Sequence, residues 1–146
     1  KMQDWILGCD ICQEVCPWNR KAPLSNEAEL NPIDGHNPIE LRKLFEITDE
    51  QFRERFRKTP LWRPKRRGIL RNSAIALGNK PHRNNLNALE LGISDKESLV
   101  RGASAWALGE HNCIEATNIL RAAHSEESTE EVRNEIEISI SRINTS

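Results

Sequence analysis

Tyrosine is absent, and the aromatic residues are three Phe and four Trp. No stretch approaches the roughly 18 apolar residues that a membrane span requires, and no signal-peptide pattern opens the chain. Neither a membrane partner nor a membrane-embedded site is therefore expected. Strand-like alternation of apolar and polar residues is also lacking, which argues against a sheet and for an all-α fold. A surplus of one charge sign is missing too: the formal net charge is −1, so the molecule as a whole has no gross pull towards nucleic acid or membrane. Cysteine is scarce, but its distribution is informative. Of four cysteines, Cys9, Cys12 and Cys16 lie together and Cys113 stands alone. Small secreted folds spread their cysteines to staple loops, whereas clustering points to a metal or redox site in a reducing compartment, which suggests a cytoplasmic location. The chain opens at Lys1 with Met2 second, so part of a longer protein is expected.

With 146 residues the chain is long enough to bury one real core. Residues 1–38 read as irregular, because Pro17, Pro23, Pro32 and Pro38 interrupt any long helix and Gly8 and Gly35 break the pattern. Residues 39–146 read as helical throughout, with helices near 39–46, 49–57, 65–78, 83–91, 96–109, 114–124 and 130–143. Thr48 followed by Gln51 has the spacing of a capping box, and Ser94 with Glu97 and Ser128 with Glu131 repeat it. The helical part also repeats. "LRNSAIALGN" at 70–79 resembles "VRGASAWALGE" at 100–110, and "VRNEIEISI" follows at 132–140. Such units cannot bury their apolar faces alone, so neighbours must stack in the manner of HEAT-like helical repeats. Small residues at Ala74, Ala76, Ala103, Ala105 and Ala107 permit close approach, and Gly78 and Gly109 read as glycines just beyond helix C-termini.

The run Cys9-x2-Cys12-x3-Cys16-Pro17 matches the last three cysteines of the bacterial ferredoxin pattern, one cysteine short at its front. Soft thiolates suit iron in both redox states, and these short spacings let one wrapped loop aim several sulfurs at a cluster. In two-cluster ferredoxins the cysteine before proline ligates the other cluster, so Cys9 and Cys12 are expected to share one cluster and Cys16 to reach a second. Zinc fits less well: it wants four ligands, and His36 has no partner at zinc-ligand spacing. A thioredoxin-type C-x-x-C lacks the flanking strand and helix, and leaves Cys16-Pro17 unexplained. Buried free thiols explain three clustered cysteines poorly, but they are the simpler reading for Cys113. A cubane needs four ligands and three cysteines lie here, so the remainder must come from outside this segment.

"GCDICQEVCPWN", joined to "FRERFRKTPLWRPKRRGILRNSAIALGN" and a helical repeat, resembles the C-terminal part of epoxyqueuosine reductase across residues 4–142. The resemblance implies an oxidoreductase that reduces epoxyqueuosine in tRNA to queuosine with a cobalamin and two [4Fe-4S] clusters. It implies that Cys9 and Cys12 ligate one cluster and Cys16 the other. The family's cobalamin-binding domain, first cysteine run and catalytic acid have no counterpart in these residues. No residue here is assigned as catalytic, turnover by the isolated chain is not expected, and the electron donor is not identified by the resemblance. Residues 1–38 are then the C-terminal part of a ferredoxin-like module, the loosest zone, and 39–146 the HEAT-like domain.

Charge is segregated along the chain. From Arg53 to Arg71 there are nine Lys or Arg against Glu54 alone, whereas from Glu110 onward eight acids face three bases. Arg63, Lys65, Arg66, Arg67 and Arg71 are the candidates for gripping tRNA phosphates. Trp18 and Trp62 are the candidates for stacking an unpaired base of an anticodon loop. A solvated helix face and core packing are the simpler accounts of the same residues. Arg101 and Arg133, which follow Val at repeat positions, read as structural arginines bonded to carbonyls of a preceding unit; for Arg71 a contact with tRNA or a cluster edge stays open. A second functional reading also stands, a non-catalytic HEAT-like protein-interaction module with a small metal-binding segment. A free-standing ferredoxin-like carrier is disfavoured, since such carriers need no helical repeat.

Overall fold

The computed structural model describes residues 5–23, 25–28, 31, 35, 36 and 38–145, so the Pro32 break lies outside the described residues. Among the described residues there are seven α-helices and no strand: α1 (Ile11–Glu14), α2 (Asp49–Phe56), α3 (Lys65–Asn79), α4 (Leu86–Ile93), α5 (Ser98–Glu110), α6 (Ile114–Glu126) and α7 (Glu130–Thr145). The all-α expectation holds. Two compact units are present, Gly8–Glu40 and a second formed by Leu41–Ser146 with the residues through Leu7.

In the larger unit α5 lies in the middle, packed against α3 on one side and α7 on the other, with α4 against α5 and α6 against α7. Leu44, Phe52, Phe56, Ile69, Leu70, Leu89, Val100, Leu108, Leu120 and Ile136 are fully or almost fully buried and form its core. These are the apolar positions that helical periodicity brings to one face of each element.

Several local expectations need correction. The stretch 39–46 is not an α-helix: Arg42–Phe45 form one 3₁₀ turn. Thr48, extended at φ −75° and ψ 170°, must accept the first turn of α2 through the Thr48–Gln51 capping box, which is present. Pro38 upstream and Thr48 downstream leave room for little more than a turn that buries Leu44 and Phe45. The other two capping boxes are absent. Ser94 closes α4 as its C-cap, and Glu97 is the residue before α5. α7 begins at Glu130, so Thr129 rather than Ser128 precedes it.

Gly78 and Gly109 are not C-terminal stop residues. Both are buried inside their helices. A Cβ on Gly78 would stand 2.8 Å from the Trp106 ring and 2.9 Å from Ala107, and one on Gly109 would stand 2.8 Å from the Ser139 Cβ. At Gly78 α3 lies close against α5, and at Gly109 α5 lies close against α7. That is a packing role and not a conformational one.

The helix-to-helix connections are held by arginines. Arg101 donates from Nη1 to the carbonyls of Asp95 (2.9 Å) and Lys96 (3.1 Å), and Arg133 donates to the Glu127 carbonyl. This is the structural role read for Arg101 and Arg133 in the sequence. Arg101 also makes a bidentate pair with Glu127, at 2.7 and 2.9 Å.

Candidate functional site

The cysteine segment is built around the single turn of α1. Gly8 sits at φ +67°, a left-handed conformation that suits glycine, and turns the chain into the run. The Asp10 carbonyl accepts from the N–H groups of Gln13 and Glu14, both at 2.8 Å, and Val15 donates to Ile11 at 3.0 Å. The Asn19 side chain then reaches back to the Gln13 carbonyl (3.1 Å) and to Gln13 Oε1 (2.7 Å). Cys9 therefore precedes the turn, Cys12 stands within it and Cys16 follows it. All are free thiols; Cys9 and Cys12 are exposed and Cys16 is half-buried. Among the described residues no three His, Cys, Asp or Glu side chains converge as a metal-ligand group. The donor set fits an iron–sulfur cluster in kind, as accessible thiols on one short wrapped segment, and falls short of four in number. Ile11 (55% exposed), Val15 (61%) and Trp18 (89%) lie bare on the same segment.

The basic candidates divide sharply. Arg63, Lys65, Arg67 and Arg71 are exposed, together with Arg53, Arg55, Arg57 and Lys58. Arg66 is not. It pairs with Asp95 at 2.8 Å, with side chains only 12% and 6% exposed, and its Nε donates to the Ile47 carbonyl at 3.0 Å. Arg66 thus ties α3 to the loop before α5, and it also lines the hollow beside Trp62 and Lys65. Arg67 faces Glu97 at 3.8 Å on an open surface, where such a pair is weak.

Trp62 is half-buried, and its ring is already engaged. It stacks at 6.4 Å on Phe52, and the Lys65 ammonium lies 4.0 Å from its centroid. Lys65 takes a left-handed backbone, φ +60°, a strained conformation for a residue with a Cβ, at the start of α3. A hollow of about 690 Å³ opens here, lined by Arg53, Arg57, Trp62, Lys65 and Arg66 together with Asp49 and Glu50. Lys96 bonds Asp49 and holds that carboxyl below its usual range. Trp62 shapes the wall of this hollow. Of the two tryptophans, Trp18 is the one whose ring is open to solvent.

Sequence reasoning missed two features. One is the pairing of Arg66 with Asp95 and of Arg101 with Glu127; the other is the contact of Asn72 with Ile6. No local signal announces either, since the partners lie tens of residues apart.

No family model matches the chain. An epoxyqueuosine reductase of Xanthomonas campestris is 36% identical over 107 residues, which is 73% of this chain and 30% of that protein. The Bacillus subtilis enzyme of the same name is 32% identical over 148 residues, covering 100% of this chain and 38% of that protein. Among solved structures, a crystal structure of epoxyqueuosine reductase with a tRNA-Tyr epoxyqueuosine-modified stem loop superposes with a TM-score of 0.89 at 28% identity, over 99% of this chain and 39% of that one. The chain belongs to the epoxyqueuosine reductase family. It spans about a third of the length of these relatives. The match to the stem-loop-bound reductase takes in nearly every residue, so the cysteine segment and the helical unit both have counterparts in that family.

Proposed function

We propose that the chain is the C-terminal part of an epoxyqueuosine reductase acting in queuosine biosynthesis, and that its two units divide the labour. Cys9 and Cys12 supply thiolates to one [4Fe-4S] cluster and Cys16 to a second, completed by cysteines outside this chain; cobalamin binding also lies outside it. Bound clusters of this kind relay single electrons, and the local contribution of α1 is the short turn that carries Cys12, with Cys9 just before it and Cys16 just after it. The α3–α7 unit is a HEAT-like repeat whose basic surface, carried by Arg63, Lys65, Arg67 and Arg71, holds the tRNA anticodon region, while Trp18 offers an open ring for base stacking. The observation that carries this reading is the structural match, over 99% of this chain and 39% of the other, to a reductase whose crystal structure contains a tRNA stem loop. The Cys9-x2-Cys12-x3-Cys16-Pro17 run, with Cys9 and Cys12 exposed and Cys16 half-buried, supports the ligand assignment.

The test is binding of this chain to a tRNA-Tyr anticodon stem loop, followed by fluorescence anisotropy across a salt series. Affinity should fall steeply with salt, and a double Arg63→Gln/Arg67→Gln variant should flatten the log–log slope by about 0.7–0.9 for each phosphate contact removed. Equal affinity for the stem loop and for an unrelated acidic polymer, with a slope untouched by the double variant, would favour the protein-interaction reading instead.

A further inference from the structure

Asn72, on α3, donates from Nδ2 to the carbonyl of Ile6 at 2.7 Å, a partly buried bond between residues 66 apart in the chain. The neighbouring Arg71 donates from Nη1 to Asn72 Oδ1 at 3.0 Å. A side-chain amide has one acceptor oxygen and one donor NH₂. With the oxygen taken by the guanidinium, the NH₂ is the end that faces Ile6. The two residues therefore act in series: arginine sets which way the amide points, and the amide fixes the strap. Ile6 and Leu7 are half-buried, and directly beyond them come Gly8 in its left-handed turn and then Cys9.

We propose that Arg71 and Asn72 are positioning residues for the cysteine segment, clamping the strap at Ile6 and so limiting the travel of Cys9. Three residues of chain span at most about 10 Å, so an anchored Ile6 carbonyl confines the Cys9 Cα to that radius around it. Nothing in the clamp requires a bound cluster; its consequence for cluster retention rests on the reading of Cys9 as a ligand.

The experiment uses the ¹⁵N-labelled chain with Asn72→Asp, Asn72→Ala and Arg71→Ala. Asn72→Asp is the discriminating variant: it keeps size and improves pairing with Arg71, yet it has no N–H for Ile6 and sets a carboxylate against that carbonyl. Backbone order parameters at Ile6 and Leu7 should be near 0.85 in the parent and fall below about 0.6 in both Asn72 variants, with α5 unchanged. Arg71→Ala should give an intermediate fall. A strap as ordered in Asn72→Asp as in the parent overturns the proposal.

A second readout follows iron. After reconstitution with ferrous iron, sulfide and excess β-mercaptoethanol to supply missing thiolates, the Asn72 variants should lose iron to a chelator at least threefold faster than the parent. Equal loss overturns the link to Cys9. The clamp itself stands or falls by the order parameters at Ile6 and Leu7.

Discussion

Glu127 shows how one residue ties stability to pH. Its side chain is 5% exposed, paired bidentately with Arg101 and also bonded by the Thr129 N–H at 2.8 Å. The guanidinium hydrogen bonds outweigh the opposing cost of burial, and its pKa is lowered from 4.5 to about 2. A carboxyl whose folded pKa lies below its unfolded value stabilises the fold above the unfolded pKa, and that contribution disappears as pH falls through the folded one. The window therefore runs from about pH 4.5 down to about pH 2. At neutral pH the contribution is on the order of 3 kcal/mol. Glu127→Gln should lower unfolding free energy by about 2–3 kcal/mol at pH 7, with the gap to the parent closing as pH approaches 2. Urea titrations at pH 7, 4 and 2.5 would measure this, and a gap that stays constant across them would remove Glu127 as its source.

At the scale of elements, the contact between α5 and α7 depends on Gly109. Replacing a helical glycine with alanine ordinarily stabilises by about 1 kcal/mol. Here the added methyl would meet the Ser139 Cβ at 2.8 Å and its Cα at 3.2 Å, and backbone cannot rotate aside as a side-chain tip can. Overpacking of that kind costs about 1–3 kcal/mol, so the steric term prevails and Gly109→Ala should lower Tm by several degrees. A Tm raised by the alanine would mean that α5 and α7 can part without penalty. The same residue marks where sequence reading reaches its limit. "ALGE" looks like a helix ending in glycine because local pattern cannot say what faces the glycine from another helix. The Thr48–Gln51 box was legible because both partners lie within one turn. Ser94–Glu97 has the same spacing, yet Ser94 is drawn into closing α4, and the loop after it is gripped by Arg66 and Arg101 from other elements. Helical periodicity located the long helices well, since every one of them buries a face. Charge density found the basic surface but could not separate Arg66, consumed by Asp95, from the exposed Arg63 and Arg67 on either side of it.

At the scale of the molecule the two units differ in what holds them. The larger unit has a continuous core from Leu44 to Ile136. Between residues 8 and 40 no described residue is buried, and α1 contains four residues with no buried side chain. A segment of that composition gains little from apolar burial to offset its conformational entropy. Its order must then come from backbone hydrogen bonds such as those to the Asp10 carbonyl, and from whatever its thiols and its bare Ile11, Val15 and Trp18 engage. Metal binding of this sort is folding free energy, since the ligands are brought together only in the bound state. Hydrogen exchange should therefore separate the units. Amides of α1 should exchange through openings costing close to zero, while those of α3 and α5 should exchange only near the global unfolding free energy. Supplying iron, sulfide and thiol should slow α1 and leave α5 unaltered. Slow exchange in α1 of the metal-free chain, matching α5, would show that the segment is held without cluster ligation and would remove the thermodynamic reason for assigning Cys9, Cys12 and Cys16 that role.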